Sequence, residues 1–282
     1  MSVLRLGSRS SPLALAQARA VAAAIGAGQP VELVTSDDRP AGGIEDKSRW
    51  VAGIEGALLA GEIDLAVHSA KDVPAVLPAG LALIGAPARA DARDALCGAS
   101  GLDALAPGAR VGTSSLRRMA QLRALRPDLD VRELHGNVDT RLRRLAAGDF
   151  EAIVVAMAGL DRLGLDGGVP LDELVPAPGQ GTLALEARAG DEAARRAIEG
   201  LRDPGSEAAL AAERALVEAL GAGCHTPVGA HAAPGGLALH AFVGLPDGSA
   251  WIRDELAGDE PEALGRELAR RLLSAGAGEM LG

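Results

Sequence analysis

The sequence reads as an α/β chain: two doubly wound mixed-sheet domains, then a small α+β domain. Three observations carry this. Short apolar runs alternate with helical stretches through the first half, a similar unit recurs after residue 95, and the pattern changes after Asp203-Pro204. Strand–helix–strand alternation implies a mostly parallel sheet with helices on both faces.

In the first unit, VLRL (3–6) has strand character. Ser11-Pro12 then supplies an N-cap with proline at the first helical position, opening a helix that stops near Gly26. VELV (31–34) is a second strand, VAGIEGALLA (51–60) a second helix and IDLAV (63–67) a third strand. In the second unit ARVGT (109–113) is a strand, and Ser114 or Ser115 caps the helix LRRMAQLRAL. DVREL (130–134) turns through His135-Gly136-Asn137, with Asp139 expected to cap TRLRRLAAG. AIVVAM (152–157) has the length and branching of a buried strand, and PAPGQG (176–181) is a crossing segment. Beyond Asp203-Pro204 come a helix over 206–221, two strands joined through Pro246-Asp247-Gly248-Ser249, and a closing amphipathic helix. The expected domains are 1–90 with 182–200, 95–176, and 204–282.

Composition narrows the function classes. At 282 residues and 48% hydrophobic the chain can build a substantial core, and no run approaches the roughly 20 apolar residues of a membrane span. The opening MSVLRLGSRSS lacks the apolar stretch of a secretory signal, and two cysteines make no disulfide framework, so a cytoplasmic setting is expected. A net charge of −10 argues against nucleic acid. Between Thr113 and Arg144, however, eight arginines stand against four acids, which suggests an anionic ligand focused into one region. Of the 28 basic residues only Lys47 and Lys71 are lysine, so each lysine is informative.

Ligands of open parallel sheets lie beyond the carboxyl ends of the strands. Four polar clusters fall there: Arg9-Ser10-Ser11, His68 to Asp72, Thr113 to Arg118, and His135-Gly136-Asn137. Helix N-termini at Ser11, Ser115 and Asp139 add N–H groups that favour anions. Recurrence of such clusters in both units suggests one carboxylate- or phosphate-rich ligand in a cleft. Solvated helix faces would account for about half of the arginines.

RLGSRSSPLALAQA, DLAVHSAKDVP, ARDAL, VGTSSLRR, GNVDTRL, AMAGLDRLGL, PAPGQG and AGCHTPVG follow one another from residue 5 to residue 229. In these motifs and their order the chain resembles the porphobilinogen deaminases. The resemblance implies lobes like those of periplasmic binding proteins and a transferase activity. Four porphobilinogen molecules would be deaminated and joined head to tail into hydroxymethylbilane, on a dipyrromethane cofactor held by a cysteine thioether. It further implies a monomer acting on a small-molecule substrate, with neither nucleic acid nor membrane as partner.

Residue roles follow the motifs. Asp72 matches the catalytic aspartate; an ordinary carboxylate is anionic at neutral pH. It would hold pyrrole N–H groups and stabilise the azafulvene cation left when ammonia departs. Cys224, in the glycine-flanked loop AGCHTP, matches the cofactor anchor, whereas most lone cysteines are small buried hydrophobes. Lys71, Thr113, Ser115, Arg117, Arg118, Gly136, Asn137 and Arg141 match cofactor-binding positions. Arg9, Ser11, His135, Arg162 and Gln180 match substrate-binding ones. Arg117 and Arg118 are roughly 100° apart on a helix and reach one ligand only from its first turn. Arg162 has the rival role of covering a helix end. His225 and His231 raise zinc, but spacing of the CxxC type is absent and no metal is expected; Cys97 is expected to be structural.

The chain departs from the family pattern twice. His135 stands where the family has arginine, and an imidazole lacks the bidentate fork and is mostly neutral in water at pH 7. The segment 35–50 is shorter than the family's mobile loop, with Lys47 kept and Trp50 in place of a phenylalanine. Two rival readings remain: a divergent relative that holds the cofactor but elongates poorly, and a two-lobed anion-binding protein without catalysis.

Overall fold

The computed structural model describes residues 3–26, 28–36, 48–223, 226–233 and 237–281. Cys224, His225, Lys47 and the segment 37–47 lie outside the described residues. The chain divides into two compact units, one of residues 1–90 and 182–208, the other of 91–181 and 209–282.

Unit 1 begins with β1 (Leu4–Arg9), α1 (Pro12–Gly26), β2 (Val31–Ser36), α2 (Ser48–Leu59), β3 (Leu65–Ser69) and β4 (Leu81–Gly85). Ser11 Oγ accepts the Ala14 N–H at 3.3 Å, so the helix starts where the Ser-Pro pair predicts. Gln17, Ala18, Val21 and Ile25 recur at helical spacing and give α1 its buried face. That face joins Leu4, Leu6, Leu65 and Leu185 in one core cluster, where each buried large side chain stabilises by about 1.5–3 kcal/mol.

Unit 2 continues with β5 (Asp94–Cys97), β6 (Arg110–Gly112), α3 (Leu116–Leu125), β7 (Asp130–Arg132), α4 (Val138–Ala146), β8 (Ala152–Ala156), α5 (Met157–Leu163) and β9 (Gly168–Leu171). The chain then returns to unit 1 for β10 (Leu183–Arg188) and α6 (Glu192–Ile198). It finishes through α7 (Pro204–Ala219), β11 (Val228–Ala232), β12 (Ala238–Gly244), β13 (Trp251–Ala257), α8 (Pro261–Ser274) and α9 (Ala277–Leu281).

The two larger sheets are mixed, as the sequence predicts, with two parallel and two antiparallel pairings in each. The first has the order β2-β1-β3-β10-β4, parallel at β2-β1-β3 and antiparallel on both sides of β10. The second has the order β7-β6-β8-β5-β9, with β5 antiparallel to β8 and β9. Each sheet is therefore of mixed type, since its antiparallel strand runs against the βαβ sense. The third sheet, β11-β12-β13, is antiparallel throughout. Its core is separate, with Leu216, Val228, Leu239, Val243, Leu268 and Leu272 in one cluster. Gly265 lets α8 approach α7 closely, because a methyl there would collide with the Ala212 carbonyl. Among the described residues no helix is long and apolar enough to cross a membrane.

Candidate functional site

In unit 1 the carboxyl ends of the parallel neighbours β1 and β3 carry Arg9 and the turn Ala70–Asp72. That turn is fastened from several directions. Gln17 Nε2 donates to Ser69 Oγ at 2.9 Å, the Ala70 N–H to the Thr182 carbonyl at 3.0 Å, and the Val73 N–H to the Ala70 carbonyl at 3.2 Å. Lys71 and Asp72 are half-buried, as is Arg9. Burial lowers the Arg9 pKa from its ordinary value, and the nearby Asp72 charge opposes that shift. The structure thus brings Arg9 and Asp72 into electrostatic reach. Ser11 spends its oxygen on the helix cap.

His68 contrasts with these half-buried residues. It is buried, with Nε2 3.0 Å from Glu186 Oε2 of β10, rather than standing at a ligand-facing loop. Burial raises the pKa of neighbouring Glu55, and the Glu186 charge adds to the rise.

In unit 2 the ends of β6 and β7 come together. Thr113 is fully buried, and its Oγ1 accepts the Ser115 N–H at 3.2 Å. Ser115 caps α3, accepting from the Arg118 N–H at 3.5 Å. Arg141 donates from Nε to the Gly136 carbonyl at 2.8 Å and from Nη2 to Ser114 Oγ at 2.9 Å. Both acceptors are neutral. Burial, with the positive charge of Arg118, lowers the Arg141 pKa to about 10, so it remains a cation at neutral pH. Gly136 has φ +112°, and a Cβ there would stand 2.9 Å from Thr140 Cγ2, so the turn needs glycine. Asn137, not Asp139, is the N-cap residue of α4. Asp139 sits in the first turn and pairs with Arg143 at 3.6 Å, because the helix begins at Val138, two residues after Gly136.

Arg117 and Arg118 face inward. Both are buried, and both pair with Asp94 of β5, which is fully buried. Arg117 Nη1 donates to Asp94 Oδ2 at 2.7 Å and Nη2 to Oδ1 at 3.1 Å, while Arg118 Nε reaches Oδ1 at 2.9 Å. Burial alone would raise the Asp94 pKa; the two guanidinium charges override it and hold the carboxyl well below the usual carboxylate range. Gln180 belongs to the same cluster, with Nε2 donating to Asp94 Oδ1 at 2.9 Å and to the Ala92 carbonyl at 2.8 Å. Arg162 Nη2 holds the Gly181 carbonyl at 2.7 Å; burial lowers its pKa, against Asp161.

Asp94 was visible only as a letter in ARDAL, with no sign of its role. His135 is exposed and pairs with Glu133 at 3.1 Å. Cys97 is a buried free thiol at the end of β5, its pKa raised by burial. Among the described residues no group of three or more His, Cys, Asp or Glu could hold a metal ion.

The class comes first from the fold: an α/β protein with two mixed five-stranded sheets, cationic and hydroxyl side chains at strand ends, and a small C-terminal α+β layer. Residues 4–196 match the family model described as porphobilinogen deaminase, dipyromethane cofactor binding domain, and residues 208–274 match the porphobilinogen deaminase C-terminal domain. The chain belongs to the porphobilinogen deaminase family. A porphobilinogen deaminase of Rubrobacter xylanophilus is 51% identical, over 99% of this chain and 96% of that relative. One of Thermus thermophilus is 46% identical, over 100% and 99%. Among solved structures, a periplasmic substrate-binding protein of an ABC transporter from Coxiella burnetii aligns at 16% identity, over 72% of this chain and 94% of that one, with a TM-score of 0.44.

Proposed function

We propose that the chain deaminates porphobilinogen and joins four molecules of it into hydroxymethylbilane, on a dipyrromethane primer held through Cys224. The observation that carries this reading is the family match over residues 4–196 and 208–274. The domains are read as 1–90 with 182–200, 95–176, and 204–282.

The residues of unit 2 fit a group rich in carboxylates. Arg141 is a partly desolvated cation with neutral partners, and Arg117 and Arg118 share one carboxylate between two positive charges. The buried Nε of Arg117 has no hydrogen-bond partner among the described residues. Dipyrromethane, when bound, supplies the pyrrole end to which substrate is added. Arg117, Arg118, Arg141 and Lys71 balance its acetate and propionate charges, a charge-assisted hydrogen bond contributing about 1.5–3 kcal/mol. Thr113, Ser115, Gly136 and Asn137 shape the loops that present these cations.

On the substrate side, Arg9, Ser11, Arg162, His135 and Gln180 bind or frame the incoming pyrrole. The C–N bond of its protonated aminomethyl group breaks with the electron pair leaving on ammonia, and the C–C bond that joins it to the growing pyrrole chain would form as a free pyrrole α-carbon gives up its proton. The Asp72 carboxylate accepts the pyrrole N–H and opposes the positive charge that develops. A second reading, a relative that carries the cofactor but elongates slowly, is favoured by His135, whose imidazole is turned to Glu133.

Intact-mass measurement tests the proposal. Wild-type protein made in porphobilinogen-producing cells should carry a dipyrromethane adduct that Cys224→Ser lacks, and should release product on incubation with porphobilinogen. An unmodified wild type overturns the assignment. An adduct without turnover supports the second reading.

A further inference from the structure

The buried arginine pair in unit 2 is organised by a residue to which no role has been given. Asp94 sits in the middle of the second sheet, on β5 between β8 and β9. Its Oδ1 takes hydrogen bonds from Arg117, Arg118 and Gln180, and its Oδ2 from Arg117. Main-chain carbonyls hold both arginines as well: Arg117 Nη1, which already donates to Asp94 Oδ2, also donates to Val175 at 2.6 Å, and Arg118 Nη1 donates to Val154 at 2.9 Å. Each fork is therefore fixed at more than one point.

The charge arithmetic is uneven. Two buried guanidinium groups share a single carboxylate, which leaves one positive charge uncompensated within the cluster. A buried cation without a counter-charge is costly, and burial lowers the Arg118 pKa even with Asp94 beside it. The same excess lowers the Arg141 pKa, since Arg118 is the charge that acts on it after burial. An anion near Arg141 and the orphaned Arg117 Nε would relieve both. Without Asp94 the two guanidinium groups would repel and swing apart, and the excess charge would no longer be held in one place.

We propose that Asp94 is a positioning residue: by pairing with Arg117 and Arg118 it orients them and Arg141's surroundings for the carboxylates of the dipyrromethane cofactor. This rests on the functional reading above. Gln180 serves Asp94, holding Oδ1 while its amide also fastens the Ala92 carbonyl.

The test separates positioning from simple stabilisation through a cycle of thermal midpoints. Ligand binding to the folded state raises the midpoint, so wild type minus Cys224→Ser reports what the cofactor adds to stability. The same difference is measured in the Asp94→Asn background, with intact mass giving the adduct fraction of each protein. The expected result is that Asp94→Asn at least halves this difference and lowers the adduct fraction several-fold. If Asp94→Asn lowers both midpoints equally and leaves the difference intact, Asp94 merely stabilises the sheet and the proposal fails. Should Asp94→Asn not fold, Gln180→Leu, which takes the amide from Asp94 and from the Ala92 carbonyl but leaves all three charges, enters the same cycle. It should shrink the difference by about a third, and an unchanged difference refutes the proposal. A wild type without adduct would instead sink the functional reading, an outcome visible before any variant is compared.

Discussion

Asp72→Asn removes one charge and almost no volume. The turn that bears Asp72 is fastened through its neighbours, by Gln17 on Ser69 and by the Ala70 N–H on the Thr182 carbonyl. The fold should therefore tolerate the change. Opposite unit charges about 4 Å apart attract by about 4 kcal/mol at an effective dielectric near 20. Asp72 is half-buried, and part of its field already falls on Arg9. About 3 kcal/mol then remains for a cationic transition state, which corresponds to a loss of roughly a hundredfold in kcat. The assay is turnover of porphobilinogen per adduct-bearing molecule, with the adduct counted by intact mass and the fold checked by thermal midpoint. Loss of turnover with adduct and midpoint kept is the expected outcome. A kcat within threefold of wild type, or loss of the adduct itself, would refute the role given to Asp72.

Arg141→Met should cut the adduct fraction at least fivefold while moving the thermal midpoint by only about 2 °C, since the lost hydrogen bonds are offset by relief of a desolvated, repelled cation; a fall of 10 °C would mark Arg141 as structural. His135→Arg should raise kcat/KM about threefold or more by restoring a bidentate fork, and an unchanged value would show that this position does not limit elongation. Acid stability should also respond to Asp94. Its folded pKa is depressed below the ordinary carboxylate value, so its contribution is present above that value and is lost as pH falls toward the folded one. Wild type should lose stability more steeply than Asp94→Asn below about pH 4 in denaturant titrations, and parallel curves would count against the ion cluster.

The parts of the fold legible in the sequence are those whose signals are local. Ser11-Pro12 marks the start of α1 because capping and the fixed proline torsion act within one turn. Ser115 marks α3 in the same way. Strand β10 was not legible, since LALEAR is buried on both faces and carries Glu186, which breaks the apolar pattern. Strands β5 and β11 are short, and VGAHA has little of the branching that flags a strand. The two-residue difference at the start of α4 lies between Asn137 and Asp139, which have near-equal capping chemistry. Only the φ +112° turn at Gly136 decides between them. At the site, the strand-end clusters located Arg9, Asp72 and Thr113, and the motif GNVDTRL located Arg141 on α4. The inward turn of Arg117, Arg118 and Gln180 depends on Asp94, 23 and 24 residues away from the arginines and 86 from the glutamine. No local pattern encodes that.

The shared carboxylate also sets the charge balance of the two adjacent arginines. A single guanidinium paired to Asp94 would form a neutral cluster with nothing left to attract a carboxylate. Two guanidinium groups without Asp94 would carry more charge but no common orientation, and their mutual repulsion would oppose burial. One carboxylate between two cations gives both order and a residual positive charge. The desolvation that makes such an arrangement costly in the free protein is then returned when an anion arrives. Arg141, held as a cation with its pKa near 10 and only neutral acceptors at its fork, completes a gradient from paired to less paired charge. On the proposed function, the gradient runs from the arginines that shape the site to the one that meets the ligand. The cation to mutate for lost affinity is therefore Arg141, and the residue to mutate for lost orientation is Asp94.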